Sequence, residues 1–234
     1  MKISHEALQV VGHHGWPARF PDNALAGLLA ASAVAEGVEV DVRRSADGKL
    51  VLSHDPIIGG LVVAQQAWSV LAELDLGGGN HPALLDEAMA SLPSTSFQLE
   101  IKNLPHEPGF EPDHRLALET AARVGPGDMV TSFNWNLLAA VRRSFPEVAT
   151  GVLVTDPGDM NQAIEECLDV GHQALIPSIR LPVLGLARAI ELGLQVFPWV
   201  VNEVDRIDEL ASLGVSGMIT DDPGLVRTVV GRSP

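Results

Sequence analysis

Tyrosine is absent from the 234 residues, and aromatic side chains make up only 4% of them. The interior must therefore be filled by aliphatic side chains, not rings. A single cysteine, Cys167, excludes an intrachain disulfide and fits a reducing compartment. It falls in a helical stretch, Ala163–Leu168, and reads as a core position, since reactive thiols need an electropositive setting. No apolar run reaches the roughly 18 residues of a membrane span. The polar start (Lys2, Ser4, His5, Glu6) has no long apolar core behind it, so a soluble, cytoplasmic protein without stable membrane insertion is expected. Cations are scarce: 15 Lys and Arg against 30 Asp and Glu leave a net charge of -15. That balance argues against nucleic acid or an anionic membrane as a bulk partner. It leaves room for one phosphate in a cleft, where nearby cations and a metal set the local field. Gly-x-Gly-x-x-Gly, Walker and Gly-x-Ser-x-Gly motifs are missing, which removes support for nucleotide-binding and serine-hydrolase readings.

What is present is a chain 46% hydrophobic and only 19% charged, able to bury a sizeable core. Short apolar runs alternate with amphipathic segments from end to end. The pattern predicts strands near residues 8–14, 38–43, 50–54, 96–102, 129–133, 149–154, 174–178, 195–201 and 217–220. Helices are predicted near 23–36, 84–92, 113–124, 135–144, 160–170, 182–192, 204–213 and 223–230. Gly37, Gly125, Gly171, Gly193 and Gly214 stand where helices should stop. Such alternation implies parallel strands with right-handed crossovers.

Asp47-Gly48 reads as a two-residue hairpin turn that pairs residue 46 with 49 and, further back, Asp41 with His54. With that return strand set aside, eight strands remain. The expected fold is an α/β single-domain (β/α)₈ TIM barrel over residues 1–234, with an open doubly wound sheet as runner-up. Residues 57–80 carry a short helix near Trp68–Leu74 and a Gly77-Gly78-Gly79 loop, and are expected at the surface more than as a lid.

Polar residues recur two apart at the ends of several strands: His13-His14-Gly15, Glu39-Val40-Asp41, His54-Asp55 and Glu100-Ile101-Lys102. Residues two apart share one strand face. Taken alone, Glu-x-Asp is more often a solvated strand end and a lone His more often structural. Their company changes the balance, because carboxylates crowding a barrel mouth repel one another unless a cation sits among them. Glu39, Asp41 and Glu100 are hard oxygen ligands suited to Mg²⁺ or Ca²⁺. His13 and His54 suit general acid and base roles near neutral pH, and Lys102 can hold a phosphate oxygen as a point charge. His5, His81, His106, His114 and His172 read as surface residues. Asp22-Asn23 reads as a helix N-cap. Phe133 and Trp199, near strand ends, read as packing residues able to border a substrate.

In order and spacing, these segments resemble the glycerophosphodiester phosphodiesterase family over nearly the whole chain. That family carries His-Arg-Gly, Pro-Glu-Asn-Thr, Glu-Leu-Asp-Val, Asp-Gly, His-Asp and Glu-Ile-Lys in sequence. Here they read His13-His14-Gly15, Pro21-Asp22-Asn23-Ala24, Glu39-Val40-Asp41-Val42, Asp47-Gly48, His54-Asp55 and Glu100-Ile101-Lys102. Later marks match too: Ser132-Phe133-Asn134, Trp199-Val200-Val201-Asn202 and Gly217-Met218-Ile219-Thr220-Asp221-Asp222-Pro223. The resemblance implies a TIM barrel with Mg²⁺ or Ca²⁺ on Glu39, Asp41 and Glu100, and His13 and His54 as the acid–base pair. His14, Lys102 and Trp199 would face phosphate or substrate. The reaction would cleave a small glycerophosphodiester to glycerol 3-phosphate and an alcohol. Alternatives are a relative acting on another phosphodiester or a lysophospholipid headgroup, and a barrel that binds metal or phosphate without turnover. Three departures stand out: His14 for the family arginine, Asp22 for glutamate and Ala24 for threonine. The segment between His54 and Glu100 is also short for a capping insertion. Whether the chain forms a homo-oligomer is left open by the sequence.

Overall fold

Period-two alternation decides what each strand presents to which side. Along Gly37–Arg44, Val38, Val40 and Val42 pack outward into the main apolar core, so Glu39, Asp41 and Arg43 point the other way. A computed structural model describes residues 8–231. Its strands are β1 (Gln9–Gly12), β2 (Gly37–Arg44), β3 (Leu50–Leu52), β4 (Ile57–Ile58), β5 (Leu61–Val62), β6 (Ser96–Ile101), β7 (Met129–Ser132), β8 (Ala149–Val154), β9 (Ala174–Pro177), β10 (Gln195–Val196) and β11 (Gly217–Thr220). The helices are α1 (Leu25–Ser32), α2 (Trp68–Leu71), α3 (Leu85–Ser91), α4 (Arg115–Ala121), α5 (Trp135–Ser144), α6 (Met160–Val170), α7 (Val183–Glu191), α8 (Val204–Leu213) and α9 (Pro223–Val230).

Eight strands run in parallel in the order β10-β9-β8-β7-β6-β2-β1-β11. The two edges meet through backbone bonds: Ser216 N–H to Val196 O (2.9 Å), Ile219 N–H to Pro198 O (3.0 Å) and Val201 N–H to Ile219 O (2.9 Å). The result is the expected single-domain (β/α)₈ barrel, nearly closed, with helices between its strands. Val11, Met129, Leu153, Ala174, Ile176, Phe197 and Ile219 form a compact apolar cluster of their own, separate from the strand–helix core. Both clusters are mainly aliphatic, with Trp16 and Phe97 in the larger and Phe197 in the smaller. Among the described residues no helix is long and apolar enough to cross a membrane.

Four local expectations are corrected. The hairpin register is off by one: Val42 faces Leu52 and Arg44 faces Leu50, and Ser53 N–H, not His54, meets Asp41 O (2.9 Å). The turn is longer than two residues. Ser45 N–H bonds Lys49 O (2.9 Å), enclosing Ala46, Asp47 and a left-handed Gly48 at φ +81°, the pattern of a three-residue hairpin loop. Of the strand expected over 195–201, regular strand is limited to Gln195–Val196. Beyond it pairing continues as single bonds, Phe197 N–H to Leu175 O (3.1 Å) and Trp199 N–H to Pro177 O (3.0 Å), and Pro198 has no N–H to add. Gly171, Gly193 and Gly214 take left-handed conformations after α6, α7 and α8, but Gly37 and Gly125 do not, and Gly37 opens β2. A small hairpin, β4–β5, was not anticipated. It belongs to the 57–80 segment, whose Val63 and Leu71 pack on Val51 of β3.

His172, read as a surface residue, is buried, with Nδ1 2.8 Å from Thr150 Oγ1. His81 and His106 are exposed, His114 is half-buried, and His5 lies outside the described residues. Cys167 is buried, and burial pushes its thiol up to about 12, leaving it inert. Burial, with help from the Arg142 guanidinium, lowers the His172 pKa to about 4. The folded chain thus keeps His172 neutral while the unfolded chain protonates it below its ordinary pKa near 6.5. Its contribution to stability is full above that value and is lost as pH falls toward 4, by at most about 3 kcal/mol. Urea unfolding of wild type and His172→Gln between pH 7 and 4 checks this. The wild type should lose more stability across that window than the variant; parallel curves would rule the effect out.

Candidate active site

The turn after β1 sets the first side of the site. Gly15 lies at φ +90°, and a Cβ on it would come within 2.8 Å of the α1 backbone. A Cβ on Gly12 would sit 2.2 Å from Gly15 O. Only glycine fits either position, so the chain doubles back tightly and lifts His13 and His14 over the C-terminal mouth of the barrel. His14, itself left-handed at φ +47°, donates its backbone N–H to Glu39 Oε2 (3.1 Å).

Strands β2 and β6 supply the acidic wall. Parallel pairing places Asp41 beside Glu100 and Glu39 beside Gln98. Glu39, Asp41 and Glu100 are all buried, and one oxygen from each lies within 4.8 Å of the others. Lys102 Nζ sits 3.0 Å from Asp41 Oδ1 and 2.5 Å from Glu100 Oε1. His14 Nε2 lies 3.0 Å from Asp41 Oδ2 and 3.7 Å from Glu39 Oε2, and its Nδ1 is 3.4 Å from Asp22 Oδ2. Burial pushes the Glu39 and Glu100 carboxyls up to about 7. Burial acts against charge on Asp41 too, but His14 and then Lys102 outweigh it and hold Asp41 well below the usual carboxylate range. By the same attraction His14 and Lys102 are held above their ordinary values despite burial.

The acidic wall is suited to a divalent cation. Asp41 Oδ1 and Glu100 Oε1 are buried and share the one Lys102 ammonium, and the buried Glu39 Oε1 has no hydrogen-bond partner. An orphaned buried acceptor such as Glu39 Oε1 costs about 1–3 kcal/mol, and more when charged. Three carboxylates facing Lys102 and His14 still outnumber the cations among them, and a hard divalent ion on those oxygens would offset the excess.

Each candidate histidine has its own carboxylate. His13 Nδ1 lies 2.7 Å from Asp221 Oδ1, and Asn202 Nδ2 donates to Asp221 Oδ2 (2.7 Å). Asn202 Oδ1 in turn accepts from Asp221 N–H (3.0 Å) and Thr220 Oγ1 (3.1 Å). His54, half-exposed, pairs through Nδ1 with Asp55 Oδ1 at 2.8 Å. Its carbonyl accepts from Arg43 Nε (3.0 Å) and Nη2 (2.6 Å), which fixes the loop that carries it. One cavity is bordered by His13, His14, His54, Lys102, Phe133 and Trp199, with Glu39 and Glu100 also on its wall. All eight sequence-predicted site residues therefore converge, Asp41 through its contacts with Lys102 and His14. Trp199 donates its indole N–H to Ile176 O (3.0 Å) and meets Phe133 edge to face at 5.7 Å.

Four residues that shape the site were missed or misread. Asn23 is not a cap: the residue before α1 is Ala24, which makes no side-chain cap bond. At φ +58°, Asn23 instead gives Nδ2–H to Asp41 Oδ2 (2.8 Å) and takes Asp41 N–H on Oδ1 (3.1 Å). Asp221, Asn202 and Arg43 were not singled out. Arg43 continues the Glu39–Asp41 alternation, and Asp221 follows the last strand where barrel chemistry gathers. Those two signals were available.

Fold and site together define a barrel enzyme that cleaves phosphodiesters. The chain belongs to the glycerophosphoryl diester phosphodiesterase family, whose model matches residues 13–225. A glycerophosphodiester phosphodiesterase of Caldanaerobacter subterraneus subsp. tengcongensis is 27% identical over 245 residues, covering 94% of this chain and 97% of that protein. The crystal structure of the glycerophosphodiester phosphodiesterase of Thermotoga maritima is 25% identical with a TM-score of 0.79, covering 96% of this chain and 99% of that one. An Oleispira antarctica phosphodiesterase, solved in complex with the product sn-glycerol-3-phosphate, shares the fold at a TM-score of 0.84 and 22% identity, over 95% and 96% of the two chains.

The double bond between Asn23 and Asp41 should be a main support of the acidic wall. Asn23→Ala removes it and strands the buried Asp41 N–H, so stability should drop by about 2–4 kcal/mol in urea unfolding. Asn23→Gly separates causes, since it relieves the left-handed backbone but not the lost bonds. A loss under about 0.5 kcal/mol for both variants would show that the pair does not support the fold.

Proposed function

We propose that the chain hydrolyses small glycerophosphodiesters to glycerol 3-phosphate and an alcohol, using a divalent cation and the His13–His54 pair. The observation that carries this reading is the convergence of both histidines, Lys102, Glu39 and Glu100 on one cavity. Glu39, Asp41 and Glu100 would hold the ion, and as a hard oxygen set they suit Mg²⁺ or Ca²⁺. The ion would supply Lewis-acid neutralisation of the phosphate. Lys102, tied to the same carboxylates, places its ammonium against a non-bridging oxygen.

His13 works through Nε2. Its Nδ1 is committed to Asp221, which fixes the ring and leaves Nε2 facing the site for proton transfer. His54 is held likewise by Asp55 but stands nearer solvent. One of the two removes the proton from the attacking water or substrate hydroxyl, and the other protonates the leaving oxygen. Phe133 and Trp199 would border the glycerol, giving its carbon face an apolar rest. Cys167, free and buried, favours a reducing, cytoplasmic setting.

The test is release of glycerol 3-phosphate from glycerophosphocholine and glycerophosphoethanolamine, with EDTA, Mg²⁺ and Ca²⁺ in parallel. Turnover should vanish in EDTA and return with metal. His13→Ala and His54→Ala should each lower kcat by about 10²–10⁴. Asp221→Asn, which weakens the hold on His13, should lower kcat with little change in KM. Turnover that survives both EDTA and the histidine substitutions would sink the reading.

A further inference from the structure

His14 stands where the family resemblance calls for arginine, and its ring lies among carboxylates. The side chain is only 7% exposed. Three acids surround it: Asp41 at 3.0 Å and Glu39 at 3.7 Å from Nε2, and Asp22 at 3.4 Å from Nδ1. An imidazole so placed is a nitrogen donor beside an oxygen-rich cation site. We propose that His14 is itself a ligand of the cation held by Glu39, Asp41 and Glu100. The centre then becomes a mixed nitrogen–oxygen site that favours a borderline ion such as Mn²⁺ or Co²⁺ over Mg²⁺ and Ca²⁺. This rests on the metal-dependent reading above and specifies which ion that site takes.

Three observations carry it. First, two groups of candidate ligands interlock: Glu39, Asp41 and Glu100 form one, His13, His14 and Glu39 the other, each with its donor atoms within 4.8 Å of one another. Glu39 belongs to both, and its Oε2 lies 3.7 Å from His14 Nε2. Second, the Nε2 to Asp41 Oδ2 separation of 3.0 Å is the edge of an octahedron with bonds of about 2.1 Å. The pair is held there by the Nε2–H bond to Asp41, and the same spacing would let both atoms bind one small ion once that proton leaves. Third, the ring carries its own orienting acid. Asp22 on the Nδ1 side favours the tautomer that leaves Nε2 free to coordinate, the carboxylate–histidine–metal pattern. His13 is not the equivalent donor, because Asp221 holds its Nδ1 and its Nε2 is kept for proton transfer.

The chemistry sets the direction of selectivity. Without the ion, Nε2–H donates to Asp41; on binding, that proton leaves to solvent and the lone pair turns to the cation. Imidazole adds little for Ca²⁺, which prefers six to eight oxygens at longer range. It adds more for Mn²⁺ and more again for Co²⁺, along the Irving–Williams order. An arginine at this position could offer no lone pair at all.

Pulsed EPR of the Mn²⁺-loaded protein reads the bond directly. Wild type should show nitrogen hyperfine modulation from a coordinated imidazole, kept in His13→Gln and lost in both His14→Gln and His14→Arg. Calorimetric titration with Co²⁺ and Ca²⁺ gives the second arm. His14→Gln should weaken Co²⁺ binding at least about tenfold while leaving Ca²⁺ within about threefold. Wild-type protein that binds Mn²⁺ without nitrogen modulation overturns the proposal and leaves the three-carboxylate reading standing. Equal weakening of both ions in His14→Gln also overturns it. Failure of any divalent ion to bind wild type overturns the metal-dependent function itself, a different result. The wild-type spectrum needs no variant, so a folding defect in His14→Gln does not block the test.

Discussion

Everything at the mouth of this barrel depends on keeping Asp41 ionised inside the protein. A fully buried carboxylate loses water worth several kcal/mol, and only close partners offset that loss. Asp41 has three: Lys102 on one oxygen, and Asn23 and His14 on the other. His14 and Asn23 come from the β1–α1 loop and Lys102 from the end of β6, so satisfying one carboxylate of β2 draws the three segments together. Glu39 and Glu100 are less well compensated, and their pKa values near 7 record it. A site with one settled anion and two unsettled ones is built to receive positive charge.

The two histidines are placed with unequal rigidity. His13 is tied through Asp221 to Asn202 and Thr220, a chain of bonds that ends in the barrel wall. His54 leans on an exposed Asp55, and its loop is fixed from below by Arg43, which also reaches Glu107 (2.9 Å). One histidine is thus part of the scaffold, the other part of the rim. A cavity of about 240 Å³ opens beside His54, bordered by Ile58, Leu76 and Pro82 of the segment that follows β3. Variation in that segment changes what surrounds the rim histidine and leaves His13 untouched.

Much of this was legible in the sequence because period two is a strong signal. Glu39–Asp41 and Glu100–Lys102 declare a shared face before any fold is known, and parallel pairing then sets Asp41 beside Glu100. The hairpin register was misread because Asp47-Gly48 fits a two-residue turn and a three-residue loop equally well; only the Ser45 N–H to Lys49 O bond, which encloses three residues, distinguishes them. Asn23 was misread because Asn before a helix is a common cap, and its true partner lies 18 residues away on another element. His172 was misplaced because a polar residue between a helix and a strand resembles a surface loop; the hydroxyl that lets it be buried, Thr150, is 22 residues back. Local pattern reports faces and turns. It does not report which distant side chain will satisfy a buried polar atom.

The bond between His13 and Asp221 spans 208 residues, from the first strand to just past the last. A chain emerging from the ribosome exposes its first histidine early and the partner of that histidine almost last. Until residue 221 is available, the ring is untethered and the barrel edges cannot meet across β10 and β11. The active site is in this sense a proofreading of completion: partial chains carry the acids and the lysine but lack the oriented histidine. Closing the barrel and orienting His13 both wait on the last strand.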